Sequence, residues 1–145
     1  MTDFNVEIVV IGAGVIGLAI ARALTQLGKE VLILEEEQKF GQITSSRNSG
    51  VIHAGIYYPK DSFKAKMCVE GNKLLYDYLN KYSIPYRNTK KILVATNEEQ
   101  LKIIDKIKLQ GENNGVENIQ KISRSAVSNL EPLIECKEAL LIPSS

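Results

Sequence analysis

Hydrophobic and polar positions along this chain follow two rhythms, and the changes of rhythm predict its elements. Glu7-Ile8-Val9-Val10-Ile11 is a short β-branched run, the pattern of a parallel strand buried on both faces. Ala13 to Leu27 has helical composition and is broken by Gly28. Val31 to Leu34 is a second apolar run, closed by Glu35. Further on, Phe63, Met67, Gly71, Leu74, Leu75, Tyr78 and Tyr82 recur at mostly three- and four-residue steps. That spacing predicts a helix capped by Asp61 or Ser62, with the stripe buried and Lys64, Lys66, Glu70, Asp77 and Lys81 on a solvated face. Pro85 ends the connection, and Lys91 to Ala95 reads as a strand. Asn97-Glu98-Glu99-Gln100 has the form of a capping box before a helix that uses Leu101, Ile104 and Ile107 and frays at Asn113-Asn114-Gly115. Ile119 to Ile122 is a short strand candidate. Ser123 caps one or two more helical turns, stopped by Glu131-Pro132, and Ala139 to Ile142 is a last strand.

Only the first two strands have the rhythm of a doubly wound sheet. The later ones suggest a second layer or domain that is not finished. The expected division is therefore a first portion over residues 1–84 and a second over 85–145. The fold class is α/β, and the length suffices for one domain with a sizeable core.

Composition changes this picture little. Net charge is +1, so no pull toward nucleic acid or anionic membrane is implied. The opening run is not a signal peptide or a span: Glu7 interrupts its start, no basic stretch precedes it, and Ile8–Ala21 is too short and glycine-rich to cross a bilayer. Cys68 and Cys136 lack metal-site or C-x-x-C spacing. A disulfide and a pair of reduced thiols in a cytosolic protein both fit, and the thiols are expected.

Chemistry enters with Gly12-Ala13-Gly14-Val15-Ile16-Gly17, a G-x-G-x-x-G fingerprint set between a strand and a helix. Gly12 permits the tight turn, Gly14 lets a pyrophosphate approach the backbone, and Gly17 lets the helix lie against the strand. Val15 and Ile16 open the helix, whose free N–H groups and positive dipole end face the phosphates. Glu35, at the end of the second strand, is placed to accept hydrogen bonds from an adenosine ribose. An ordinary packing turn with chance glycines is the plainer alternative, but the strand–turn–helix–strand–Glu context favours a dinucleotide site.

Glu36 to Gly50 is a loop rich in small polar groups: Thr44, Ser45, Ser46, Asn48 and Ser49, with Gly41 and Gly50 allowing close backbone approach. It suits a solvated surface loop and a loop folded over a cofactor equally. His53 is the chain's only histidine, in the run Val51–Tyr58. A lone histidine in an apolar run is more often a hydrogen-bonded core residue than a catalyst, although Ala54 and Gly55 beside it favour close approach of a ligand.

The stretch Asn48-Ser49-Gly50-Val51-Ile52-His53-Ala54-Gly55-Ile56-Tyr57-Tyr58 is far more specific than the fingerprint. Lys64-Ala65-Lys66 with Cys68, Gly71-Asn72, Leu130-Glu131-Pro132 and Pro143-Ser144-Ser145 accompany it. On these residues the whole chain resembles the FAD-dependent oxidoreductases of the D-amino-acid oxidase class, and within it the L-2-hydroxyglutarate dehydrogenases and oxidases. The resemblance implies the N-terminal part of a Rossmann-like FAD-binding fold, followed by the beginning of an α+β substrate domain. It implies FAD as cofactor, held at its pyrophosphate by Gly12, Gly14, Val15, Ile16 and Gly17 and at its ribose by Glu35. Thr44, Ser45, Ser46 and Gly50 would lie along it, and His53 near the isoalloxazine ring. Arg47 stands where the family pattern often has histidine. No metal is implied.

Members of that class are much longer, so the chain is expected to be an N-terminal portion: a split-gene product, a truncated frame or a decayed remnant. The leading reading is an FAD-dependent oxidoreductase acting on a small 2-hydroxy acid, with hydride transfer to flavin and His53 taking the hydroxyl proton. Its partners would be that acid and a second chain carrying the missing portion. The alternatives are an inactive remnant or partner-dependent FAD-binding module, and a fragment of an NAD-dependent dehydrogenase. The expected location is the cytoplasm, with peripheral attachment to a membrane left open.

Overall fold

The computed structural model describes residues 5–145; the four residues ahead of them, counted in the expected portion 1–84, lie outside the described residues. The elements are β1 (Ile8–Ile11), α1 (Val15–Gln26), β2 (Val31–Leu34), a 3-10 turn (Thr44–Ser46), α2 (Phe63–Lys81), β3 (Lys91–Ala95), α3 (Glu98–Asn113), β4 (Gln120–Ser123), α4 (Arg124–Leu130) and β5 (Glu138–Ile142). They fall into two compact units divided between Gly50 and Val51. The boundary expected after residue 84 lies inside the second unit, between α2 and β3.

In the first unit β1 and β2 pair in parallel, with Ile8 opposite Val31 and Ile11 opposite Leu34. The crossover α1 packs against both strands and buries Ala21. It ends in a Schellman motif: Gly28, at φ +78°, donates its N–H to Thr25 O, and Lys29 N–H reaches Leu24 O. β1 was expected to be buried on both faces, and here neither strand is. Ile8, Val10, Val31 and Ile33 are half-buried, while Val9, Ile11, Leu32 and Leu34 are exposed, Ile11 at 87%. The reason is that one helix covers one face of a sheet, and among the described residues β1 pairs only with β2.

The second unit is built on an antiparallel sheet in the order β3-β5-β4. Leu93 faces Leu140 across the β3–β5 ladder, and Val94 faces Ala139. The two-residue alternation of strands sends these pairs to opposite sides. Leu93, Ala95, Leu140 and Ile142 join Ile104 and Ile107 of α3 in one core, with Ile56, Val116 and Ile119. Ile92, Val94, Ala139 and Ile122 join Val127 of α4 in the other, with Cys136 and Ile134. Side-chain caps open the helices as the sequence suggests. Ser62, Asn97 and Ser123 accept the N–H groups of Ala65, Gln100 and Ala126. Gln100 Oε1 reaches back to Thr96 N–H at 2.7 Å, one residue earlier than a capping box requires. The fray expected at residues 113–115 is instead a closed Schellman end, with Gly115 N–H on Glu112 O and Val116 N–H on Gly111 O.

The largest departure from expectation is α2. The Phe63–Tyr82 stripe is exposed: Phe63, Met67, Leu74, Leu75, Tyr78 and Tyr82 all face solvent, Phe63 at 83%. The inward face consists of Ala65 and Asn72, with Val69 partly buried against the core. Residues 52–58 explain why. They run without strand partners, so their carbonyls need donors from side chains. Asn72 Nδ2 donates to His53 O (3.2 Å) and Ser144 O (2.7 Å). Asn114 Nδ2 donates to Gly55 O (3.0 Å) and Tyr58 O (2.8 Å), and Gln110 Nε2 to Tyr58 O (2.6 Å). A Cβ built on Gly55 would stand 3.0 Å from Val69 Cγ2 and 3.3 Å from Cys68 Cβ. Backbone lying that close to the helix leaves no room there for the bulky residues, which are turned the other way.

This assignment predicts opposite outcomes for two substitutions. Asn72→Ala leaves two carbonyls without their donor and is expected to cost about 1–3 kcal/mol. Phe63→Lys is expected to change stability by less than about 0.5 kcal/mol. Urea unfolding followed by circular dichroism distinguishes them, and the reverse ranking would restore the stripe to the core.

Candidate functional site

The first unit places its chemistry where β1 turns into α1. Gly12 sits at φ +96°, a left-handed conformation that side chains disfavour, and its N–H closes the ladder on Leu34 O at 2.7 Å. Gly14 is the N-cap of α1, with extended backbone and no side chain to cap the helix. The amides of Val15, Ile16 and Gly17 therefore lie in a first turn where N–H groups lack partners within the helix. No acidic residue stands in that turn, whereas α3 carries Glu98 and Glu99 there. Gly17 packs so tightly that a Cβ would fall 2.0 Å from Gly12 O.

Three tethers converge on the turn. Glu35 Oε2 accepts Ala13 N–H at 2.6 Å, and its Oε1 accepts Glu37 N–H at 3.0 Å. Gly41 N–H donates to Ala13 O at 3.0 Å. Ser45 Oγ accepts Val15 N–H at 2.9 Å. Between them lies a cleft of about 290 Å³ lined by Gly12, Gly14, Glu35, Gly41, Gln42, Ile43, Thr44 and Ser45. The amides of Glu37 and Ala13 hold the Glu35 carboxyl below its ordinary 4.5 by favouring the charged form. The cleft thus combines an amide-rich helix end with a fixed carboxylate, the two features that suit a phosphate next to a sugar.

Among the expected site residues, Gly12, Gly14, Glu35, Thr44 and Ser45 line this one cleft. Val15 is tied to the lining residue Ser45 through its N–H, and Gly17 packs against the Gly12 carbonyl. Ile16 is exposed on α1. Ser46 donates its hydroxyl to Ile43 O, and Gly50 donates its N–H to Asn48 Oδ1 at 2.8 Å. His53 belongs to the second unit, where its side chain is exposed and its carbonyl is held by Asn72. It is therefore not a core histidine. Sequence reasoning missed Gln42 and Ile43, whose residue types carry no signal for the cleft. It also gave no role to Asn72, although a polar residue on an inward helix position is such a signal.

Residues 7–145 match the family described as DAO, FAD dependent oxidoreductase. The chain belongs to this family. Among its curated relatives is the mitochondrial L-2-hydroxyglutarate dehydrogenase of Arabidopsis thaliana, 47% identical over 141 residues, covering 97% of this chain and 29% of the relative. The Dictyostelium discoideum enzyme of the same name is 40% identical over 131 residues, covering 88% of this chain and 29% of the relative. The chain thus spans under a third of the length of these relatives. Among solved structures, dithionite-reduced L-alpha-glycerophosphate oxidase from Mycoplasma pneumoniae with FAD bound superposes with a TM-score of 0.83 at 33% identity. That match covers 95% of this chain and 37% of that one. Glycine oxidase from Geobacillus kaustophilus, at 22% identity and a TM-score of 0.81 over 96% of this chain and 39% of its own, shares the fold. The α/β architecture expected from the sequence is that of the FAD dependent oxidoreductases. Among the described residues no helix is long and apolar enough to cross a membrane, and none form a metal-binding cluster.

Gly17→Ala is expected to destabilise the first unit by about 1–3 kcal/mol, because backbone must move to admit the methyl group. Thermal unfolding checks it. The tethers of Glu35 carry a pH dependence of defined sign. Its carboxyl is depressed in the folded state, so the stabilisation is fully present above pH 4.5 and is lost as pH falls through the lowered value. Amide exchange at Ala13 should lose protection in acid in the native chain, while Glu35→Gln should lack this pH-dependent component.

Proposed function

We propose that this chain forms the nucleotide-binding portion of an FAD-dependent oxidoreductase that oxidises a small 2-hydroxy acid of the L-2-hydroxyglutarate type. The observation that carries the proposal is the cleft in which Gly14, the Val15 amide end of α1 and the Glu35 carboxylate meet, in a member of a family of FAD dependent oxidoreductases. The residues fit the cofactor. Gly14 has no Cβ to obstruct a pyrophosphate, and the first helical turn has no carboxylate to repel one. Each Glu35 oxygen accepts one backbone N–H and retains a lone pair for a ribose hydroxyl. Gly12, Gly14, Val15, Ile16 and Gly17 would hold the pyrophosphate, with Thr44, Ser45, Ser46 and Gly50 along the rest of the molecule. When bound, FAD supplies the acceptor for a hydride from the substrate's carbinol carbon. His53 is assigned the proton of the substrate hydroxyl, supported by its exposed side chain and its backbone, which is fixed through Asn72. The choice of acid rests on the names of the relatives. The cytoplasmic location belongs to the proposal too. Cys68 and Cys136 are both free thiols, while those relatives are named mitochondrial.

A second chain carrying the remainder of the family fold is also proposed. The uncovered faces support it: Val9, Ile11, Leu32 and Leu34 on the first sheet and the Phe63–Tyr82 stripe on α2. An apolar face beside an unpaired strand edge favours association. Alone, the 145-residue chain is expected to self-associate and to leave L-2-hydroxyglutarate unoxidised. A monodisperse monomer with stoichiometric FAD and turnover would overturn this.

Flavin fluorescence titration of the chain with a complementing portion tests the cofactor. FAD should bind, and Gly14→Val should weaken it by about tenfold or more. NADP should be refused, because the Glu35 carboxylate repels a 2′-phosphate. Acid precipitation should release all the flavin, and His53→Ala should lower turnover more than it lowers stability. Unchanged FAD affinity in Gly14→Val, or tight NADP binding, would remove the assignment.

A further inference from the structure

The helices of this chain are capped in two ways. At α2, α3 and α4 the acceptor belongs to the N-cap residue itself: Ser62, Asn97 and Ser123 each hold an amide three residues ahead. At α1 the N-cap is Gly14, and the acceptor is Ser45 Oγ, thirty residues downstream, on the Val15 N–H at 2.9 Å. A Cβ built on Gly14 would stand 3.1 Å from that same oxygen. The loop is fixed a second time by Gly41 N–H on Ala13 O. We infer that Ser45 is a positioning residue, a remote cap that latches loop 41–46 onto the start of α1, and that the missing side chain of Gly14 gives this latch its room.

The physical logic concerns the cost of binding. A serine at position 14 would cap the helix locally, but its side chain would fill the approach to the turn. Moving the acceptor to residue 45 leaves that approach open and still satisfies a helix-end donor when no ligand is present. It also orders the loop in advance, so that less conformational entropy is lost when a ligand arrives. The latch concerns the same cleft as the proposed FAD site, but it is a property of the ligand-free chain.

Hydrogen exchange of the FAD-free 145-residue chain, alone and with a complementing portion, tests it. Ser45→Ala should speed exchange at the Val15 amide and across residues 41–46 by about tenfold or more, with α3 and β5 unaffected. Ser45→Thr, which keeps the hydroxyl, should restore protection. Gly14→Ala should loosen the same amides, and Gly14→Ala combined with Ser45→Ala should be no looser than Ser45→Ala alone, since both act on one contact. Unaltered exchange in Ser45→Ala, or effects of the two substitutions that multiply independently, would overturn the latch. Loosening as expected in a chain that binds no flavin even with a complementing portion would leave the latch standing and remove the FAD reading instead.

Discussion

Backbone meets backbone at the start of α1, and the first unit depends on that approach. With Gly17 against the Gly12 carbonyl, a single methyl group would have to fit within 2.0 Å of an oxygen. The contact fixes where α1 begins relative to the end of β1, and so where the amides of its first turn point. It also leaves Gly12 N–H free to complete the ladder to Leu34. Everything that makes the cleft chemically useful is attached to this turn: the Glu35 carboxylate, the Gly41 tether and the Ser45 cap all end on Ala13 or Val15.

The second unit solves a different problem. Residues 52–58 run beside helices rather than strands, and a buried carbonyl without a donor is costly. Amide side chains on α2 and at the end of α3 supply the donors: Asn72, Gln110 and Asn114. Glycines on both sides supply the room. Gly55 approaches Val69 and Cys68, and a Cβ on Gly111 would stand 2.6 Å from Ile119 Cδ1 and 3.2 Å from Ile56 Cγ2. Asn72 also reaches Ser144, so one buried amide joins the His53 segment to the turn after β5.

Local chemistry separates two helix ends that look alike in outline. The first turn of α3 carries Glu98 and Glu99, which favour its own dipole and would repel an anion. The first turn of α1 carries no acid, and its donor is held by an exchangeable hydroxyl. Of these two ends, only that of α1 is left without a carboxylate to repel a phosphate.

The elements and the fingerprint were legible from residue order alone. Short apolar runs located β2 and β3 to the residue and the other strands within one, and side-chain caps at Ser62, Asn97 and Ser123 marked helix starts. These are local signals, carried by residues that interact within a few positions of one another. Which faces are covered and which distant groups meet became clear only from the packing. Periodicity identifies a stripe but not its partner, so the bulky face of α2 read as core while the buried face was Ala65, Val69 and Asn72. The same limit hid the outer face of β1 and β2, and the Ser45–Val15 and Glu35–Ala13 bonds. Burial depends on what the rest of the chain brings alongside, and a hydrogen bond spanning thirty residues has no periodicity to betray it.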